Sequence, residues 1–369
     1  MKAVRPVTSH ALRGVIQPMR IGFVPLVDCA PLLVAEAKGM FHRNGVMVRL
    51  SCEPGWATVR EKLLYRQLDA AHAIAGMALA LQMGISTPAM PVLAPFVFNL
   101  HGNAITLSSD LWNRGVRDAQ SLHKLLRSSP GRMLTLGIVS RCSSHAFLMR
   151  QWLASGGVDH EHQARIVVLP PTQMPSHLAA GLIDGYCVGE PWNSVAVAAG
   201  DGWIAATSEQ LAPLHPEKVL LMPERFIAEH EDQAGAIVAA LRESCEFCDL
   251  PANRPEVERI LFESGHFPDC RHALHSSLVG PLDLGTGRSA DVGGFHIFHR
   301  HDANEPIPSR GRWIVDEFIR QGLLTPAQRK SADAAMERCW CPLPPRRAMT
   351  SVRPQKTNPR KNRPALASA

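Results

Sequence analysis

At 369 residues the chain is long enough for two domains or one two-lobed unit, and its 46% apolar and 20% charged residues are those of an ordinary globular protein. No apolar run reaches the roughly 20 residues that cross a bilayer, which excludes membrane insertion by a helix. The formal net charge of +6 is local: seven Lys or Arg and no acid lie between Arg346 and the end, and the rest of the chain carries −1, which excludes a broad nucleic-acid-binding surface on the body.

Residues 1–19 form a basic extension without a continuous apolar stretch or a small-residue cleavage site, so a cytoplasmic location is expected. The nine cysteines, odd in number and without a repeated metal spacing, read as reduced thiols. Cys245 and Cys248 lie within a helical pattern over 234–249 and read as packing residues.

From residue 20 onward strands and helices alternate, which predicts a mostly parallel sheet flanked by helices. Strands are expected at 20–27, 46–51, 70–74 and 92–98, with helices at 32–41 and 57–67 and another before 92. The apolar segment 104–108 reads as a crossover. The rhythm then restarts with strands at 134–140, 165–169 and 185–189 and helices at 146–155, 173–180 and 191–198. The apolar run 219–222 returns the chain, and helices at 234–249, 256–264 and 313–321 finish it. The expected division is a first lobe from 20–107, a second from 108–218, a return to the first over 219–330, and a Pro-rich basic tail over 331–369, disordered and the one segment suited to touching RNA or an acidic partner.

Polar residues gather where strands end, the position that lines the ligand crevice of α/β proteins. Trp56 follows Glu53-Pro54-Gly55 at the start of a helix, and His145 follows Ser143-Ser144 at another. Helix amino ends favour anions. Gly102 and Asn103 lie at the crossover, where glycine allows close approach to the backbone. Glu190, Pro191 and Trp192 follow the strand 185–189, and Lys218 precedes the apolar run 219–222. A lysine beside an apolar strand must snorkel or meet an anion. These residues describe a pocket for a small anion, with Gly102, Glu190, Pro191 and Trp192 as its supports.

The segments FVPLVDCAPLLVAEAKGMF, WATVR, HGNAIT, VVLPPTQM, VGEPWN and HPEK, in this order, resemble the nitrate/bicarbonate-binding proteins of ABC transporters. The resemblance implies a type II periplasmic-binding-protein fold, two α/β lobes with a ligand cleft between them. It also implies nitrate or nitrite as ligand, held by Trp56, Asn103, His145 and Lys218, with Asn103 standing where the family has glutamine. In the bicarbonate branch the lysine position is an acid associated with calcium, so Lys218 implies an anion bound without metal or other cofactor. Without its anion, Lys218 is expected to stand as a partly desolvated cation facing His145.

Joined to the cytoplasmic expectation, the resemblance points to the NasS-type sensor branch, whose members hold an ANTAR-domain antiterminator until nitrate or nitrite arrives. A transporter's substrate-binding subunit is the alternative if the chain is exported. An enzyme resembling thiamine-pyrimidine synthesis proteins is the third reading, resting on His296, His299 and His301; on a strand the latter two would share a face. No nucleophile with an adjacent base accompanies them, so no catalytic residue is assigned.

Overall fold

The computed structural model describes residues 17–129 and 131–343. The chain builds Met19–Phe23 (β1), Val48–Cys52 (β2), Ala70–Ile74 (β3) and Val92–His101 (β4), then Asn103–Ser108 (β5), Leu134–Ile138 (β6), Ala164–Val168 (β7), Gly185–Gly189 (β8) and Gly202–Thr207 (β9). Pro216–Pro223 (β10), a hairpin of Leu282–Gly285 (β11) and Arg288–Ala290 (β12), and the two-residue His296–Ile297 (β13) complete the strands.

Two sheets result, ordered β13-β4-β10-β3-β1-β2 and β7-β6-β8-β5-β9. In each, a parallel trio meets an antiparallel strand delivered from the other sheet. Strand β10 follows β9 and enters between β3 and β4, while β5 follows β4 and enters between β8 and β9. The sheets are therefore mixed, whereas the strand–helix rhythm predicts a mostly parallel one. A strand crossing from the opposite lobe arrives head-on to the trio it joins, and no hydropathy pattern records that direction.

This topology corrects the expected lobe boundaries. The first crossing lies at Gly102, so β5 belongs to the second sheet, and Lys218 on β10 belongs to the first. The crossing is sharp: His101 and Gly102 both have positive φ, 64° and 93°. A Cβ at position 102 would run into the His296 ring, so glycine serves both the turn and the close approach. The fold is the two-lobed periplasmic-binding-protein architecture expected above.

The expected disordered tail is shortened as well. Residues 329–339 form the helix Arg329–Cys339, with Ala332, Met336 and Cys339 buried and Trp340 Nε1 donating to Ile307 O at 3.0 Å. This apolar stripe is diluted in the sequence by its charged neighbours. The basic residues from Arg346 onward, and any contact they make with RNA, lie outside the described residues, as do residues 1–16. Among the described residues no helix is long and apolar enough to cross a membrane.

The lobes touch where the helix Gly76–Met83 begins. A Cβ on Gly76 would overlap the Cys142 carbonyl oxygen of the second lobe and crowd Phe318. Backbone cannot yield as a side chain tip can, so Gly76→Ala must push the lobes apart at an overpacking cost of about 1–3 kcal/mol. Small-angle scattering should show a larger radius of gyration for this variant; a profile identical to the unsubstituted chain would show that the helix absorbs the methyl instead.

Candidate functional site

Lys218 projects from the middle of β10, and its side chain is 0% exposed. Its Nζ lies 2.6 Å from Glu217 Oε1 and 2.8 Å from Asp28 Oδ2. Asp28 sits in the short turn Val27–Cys29 directly after β1, and neither of its oxygens accepts a well-directed hydrogen bond. The expectation of an unpaired Lys218 facing His145 is thus corrected: two buried carboxylates already hold the ammonium. Removing a cation from water costs several kcal/mol unless opposite charge surrounds it.

Both carboxylates extend the network. Glu217 Oε1 lies 3.2 Å from His145 Nε2, and Oε2 accepts from Ser144 Oγ and lies 3.2 Å from His215 Nε2. Asp28 Oδ1 lies 3.2 Å from His72 Nε2. His145 occupies the first turn of the helix Ser144–Ser155, whose start is capped by Ser143. Its Nε2 also meets Asn103 Oδ1 at 2.8 Å, and Asn103 Nδ2 donates to Ser144 Oγ at 3.3 Å. With two acceptors on Nε2, the neutral ring carries its proton there and turns a lone pair outward at Nδ1.

Of the four expected ligand residues, Asn103, His145 and Lys218 gather around Glu217. Trp56 joins them through its ring, whose centroid is 5.5 Å from Lys218 Nζ. Trp56 opens the helix Trp56–Leu64 and is 3% exposed, yet its Nε1–H has no partner. His145 Nδ1 and His72 Nδ1 are buried and unpartnered as well. Buried donors and acceptors left open in this way are uncommon in native structures.

The other expected supports act at one remove. Glu190 N donates to Gly102 O at 3.2 Å, and Glu190 O accepts from Val27 N at 2.7 Å. Trp192 Nε1 donates to Pro25 O at 2.9 Å, and buried Pro191 precedes the helix Trp192–Ala198. These residues strap the end of β8 to the turn that carries Asp28. His299 and His301 share no strand face, because β13 ends at Ile297; His299 Nδ1 instead meets Asn304 Oδ1 at 2.8 Å. Among the described residues no group of three or more His, Cys, Asp or Glu is placed to hold a metal ion.

Asp28, Glu217, His72, His215 and Ser144 are the residues that the sequence reading missed. Asp28 is the one charged residue between Arg20 and Glu36, and His72 interrupts the apolar run 70–81. A charged or titratable group inside such a run is a usable signal, since it must find a partner when buried.

Burial alone would push Lys218 down, but Asp28 and Glu217 outweigh it and raise its pKa. Burial pushes Glu217 upward, yet Lys218, His145 and His215 hold it well below the usual carboxylate range. Asp28 is lowered likewise, as Lys218 and His72 overcome its desolvation. Desolvation wins at His145, whose pKa is lowered despite Glu217. The cluster thus holds two carboxylate charges against one ammonium, with imidazoles placed to supply a balancing proton.

A model of the NMT1-like family matches residues 16–262. The chain is 38% identical over 308 residues to the nitrate import ATP-binding protein NrtC of Synechocystis, covering 82% of this chain and 46% of that protein. It is 33% identical over 330 residues to the bicarbonate transport ATP-binding protein CmpC of the same organism, covering 87% and 48%. The chain thus spans about half the length of these curated relatives. The crystal structure of the periplasmic nitrate-binding protein NrtA from Synechocystis superimposes with a TM-score of 0.82 at 26% identity, over 87% of this chain and 85% of that one.

Buried neutral histidines set the acid stability. Burial pushes His101 down to about 4 and His296 down to about 3, with His145 also lowered. Each favours the folded state fully above its unfolded pKa, near 6.5, and loses that contribution as pH falls. Glu190, raised by burial to about 7, opposes them between pH 4.5 and 7. Two such histidines outweigh one carboxyl and His145 acts in the same direction, so unfolding free energy should drop by about 1 kcal/mol or more per pH unit between roughly pH 6.5 and 4.5. Urea titrations across that window check this, and a flat profile would refute it.

Proposed function

The chain belongs to the NMT1-like family, and we propose that its interlobe cluster binds nitrate or nitrite as the substrate-binding component of a transport system. The observation that carries this reading is the unpartnered Trp56 Nε1–H beside a fully buried Lys218, inside a ring of polar groups drawn from both lobes. A planar, weakly hydrated monoanion has acceptors only. It can use an indole N–H, an ammonium and a protonated imidazole, whereas tetrahedral dianions would bring oxygens and charge that these donors leave unmatched. The names of NrtC and NrtA, nitrate import and periplasmic nitrate binding, support this choice of ligand and role.

The charge count adds a condition. Asp28 and Glu217 exceed Lys218 by one negative charge, so a monoanion enters favourably only with a proton. His145 Nδ1 is the acceptor of that proton, because protonation converts its lone pair into a donor. Asn103, Glu217, Lys218 and Asp28 face this ring, with His215 beyond Glu217 and His72 beyond Asp28. The pKa of His145 is lowered in the free cluster, so binding should take up close to one proton at neutral pH. Affinity should then rise as pH falls from roughly 8 to 6.5, by at most about tenfold per unit. Calorimetry in buffers of different ionisation enthalpy reads this directly; pH-independent affinity without proton uptake would overturn the assignment to His145.

Isothermal titration with nitrate, nitrite and bicarbonate tests the ligand. Lys218→Ala should abolish binding, and Trp56→Phe, which leaves every charge in place, should weaken it about tenfold through the lost N–H donor. Bicarbonate binding more tightly than nitrate and nitrite, or unaltered affinity in both variants, would reject the proposal. The regulatory reading uses the same anion to release an ANTAR-domain antiterminator, and mixing the two proteins on a sizing column separates the uses. Separate elution with and without nitrate is expected for a transport component; a complex that nitrate dissolves would establish the sensor role in its place.

A further inference from the structure

A second cavity, of about 230 Å³, lies between the lobes outside this cluster. Trp56 and Arg60, one turn apart on the helix Trp56–Leu64, line it from the first lobe, and Val139, Arg141 and Cys142 line it from the second. No acidic residue belongs to its wall. Arg60 reaches only Glu61, at 3.7 Å, and Arg141 forms no ion pair among the described residues. The helix that carries Trp56 begins without a side-chain cap, so its first backbone N–H groups add to the positive end of the cavity. The Trp56 ring also approaches Lys218 Nζ, with 5.5 Å to the centroid. Trp56 thus stands between this cavity and the cluster.

We propose that this cavity is an antechamber in which Arg60 and Arg141, one from each lobe, capture the anion before Trp56 passes it inward to Lys218. The inference rests on the anion-binding reading above and adds to it the route and two residues that set the association rate. The volume exceeds the roughly 30 Å³ share of one water several-fold, so an anion halts there still partly hydrated. Two arginines that line one cavity without a carboxylate repel each other. An anion between them offsets that repulsion before it moves inward to Lys218. Arg60 remains a third exposed, so its pull on an incoming anion must be sensitive to salt.

Stopped-flow tryptophan fluorescence with sodium nitrate as probe, at low and at high ionic strength, tests the route. The Arg60→Gln/Arg141→Gln double variant should lower the association rate constant about tenfold at low salt and flatten its salt dependence. The dissociation rate should change by less than about twofold. Arg60→Lys/Arg141→Lys keeps the charge and should restore the rate, while circular dichroism melts confirm that both variants fold. An unchanged association rate in the Gln variant, or a loss that the Lys variant does not restore, overturns the antechamber alone. Failure of the unsubstituted chain to bind nitrate or nitrite in calorimetry overturns the anion-binding reading itself, and the antechamber with it.

Discussion

A lysine ammonium with no access to water is the constraint on which the rest of the cleft depends. The desolvation of Lys218 must be offset locally, and Asp28 and Glu217 do so from within 3 Å. Each carboxylate is itself buried and recruits further donors: His72 for Asp28, and His145, His215 and Ser144 for Glu217. His145 and Ser144 belong to the second lobe, so satisfying one cation in the first sheet fixes how the lobes meet. Positions that look unrelated along the chain thereby become one electrostatic unit.

That unit explains why the two crossings lie where they do. Strand β10 must enter between β3 and β4 to hold Glu217 and Lys218 over the turn after β1, and its register pairs Lys218 with Ile74 on one side and Asn99 on the other. Strand β5 must leave immediately after β4, because Asn103 has to reach His145 within one residue of the turn at Gly102. A slip of one residue in either strand would turn its polar side chain to the opposite face. The mixed sheets are therefore the geometric means by which both lobes contribute to a single buried cluster.

Much of this was legible in the sequence. The alternation of apolar segments identified most strands within a few residues, since buried α/β strands are short and bounded by turn residues. Trp56, Asn103, His145 and Lys218 were visible as polar groups at strand and helix ends, the positions where side chains escape the core. Strand direction was hidden, because β5 and β10 have the same composition whichever way they run. The carboxylates were hidden for a different reason: Glu217 and Asp28 both stood only inside segments read for their resemblance, not for their charge. Their significance appears only when a third residue, distant in sequence, is seen to need both. The helix Arg329–Cys339 was missed because its charged face masks a three-residue apolar stripe.

The same pairing bears on selectivity. A simple cationic pocket would hold any anion small enough to enter, with affinity following charge. Here the positive charge of Lys218 is already matched, so an incoming anion gains nothing from it unless a proton arrives or a carboxylate turns away. Dianions would need two such adjustments in a space where unbalanced charge is costly. A monoanion needs one, and an imidazole with an open ring nitrogen stands beside Glu217 to make it. On the proposed anion-binding role, the carboxylates act against multiply charged competitors while holding the lysine in place, and discrimination comes from what the site already contains as much as from its donors.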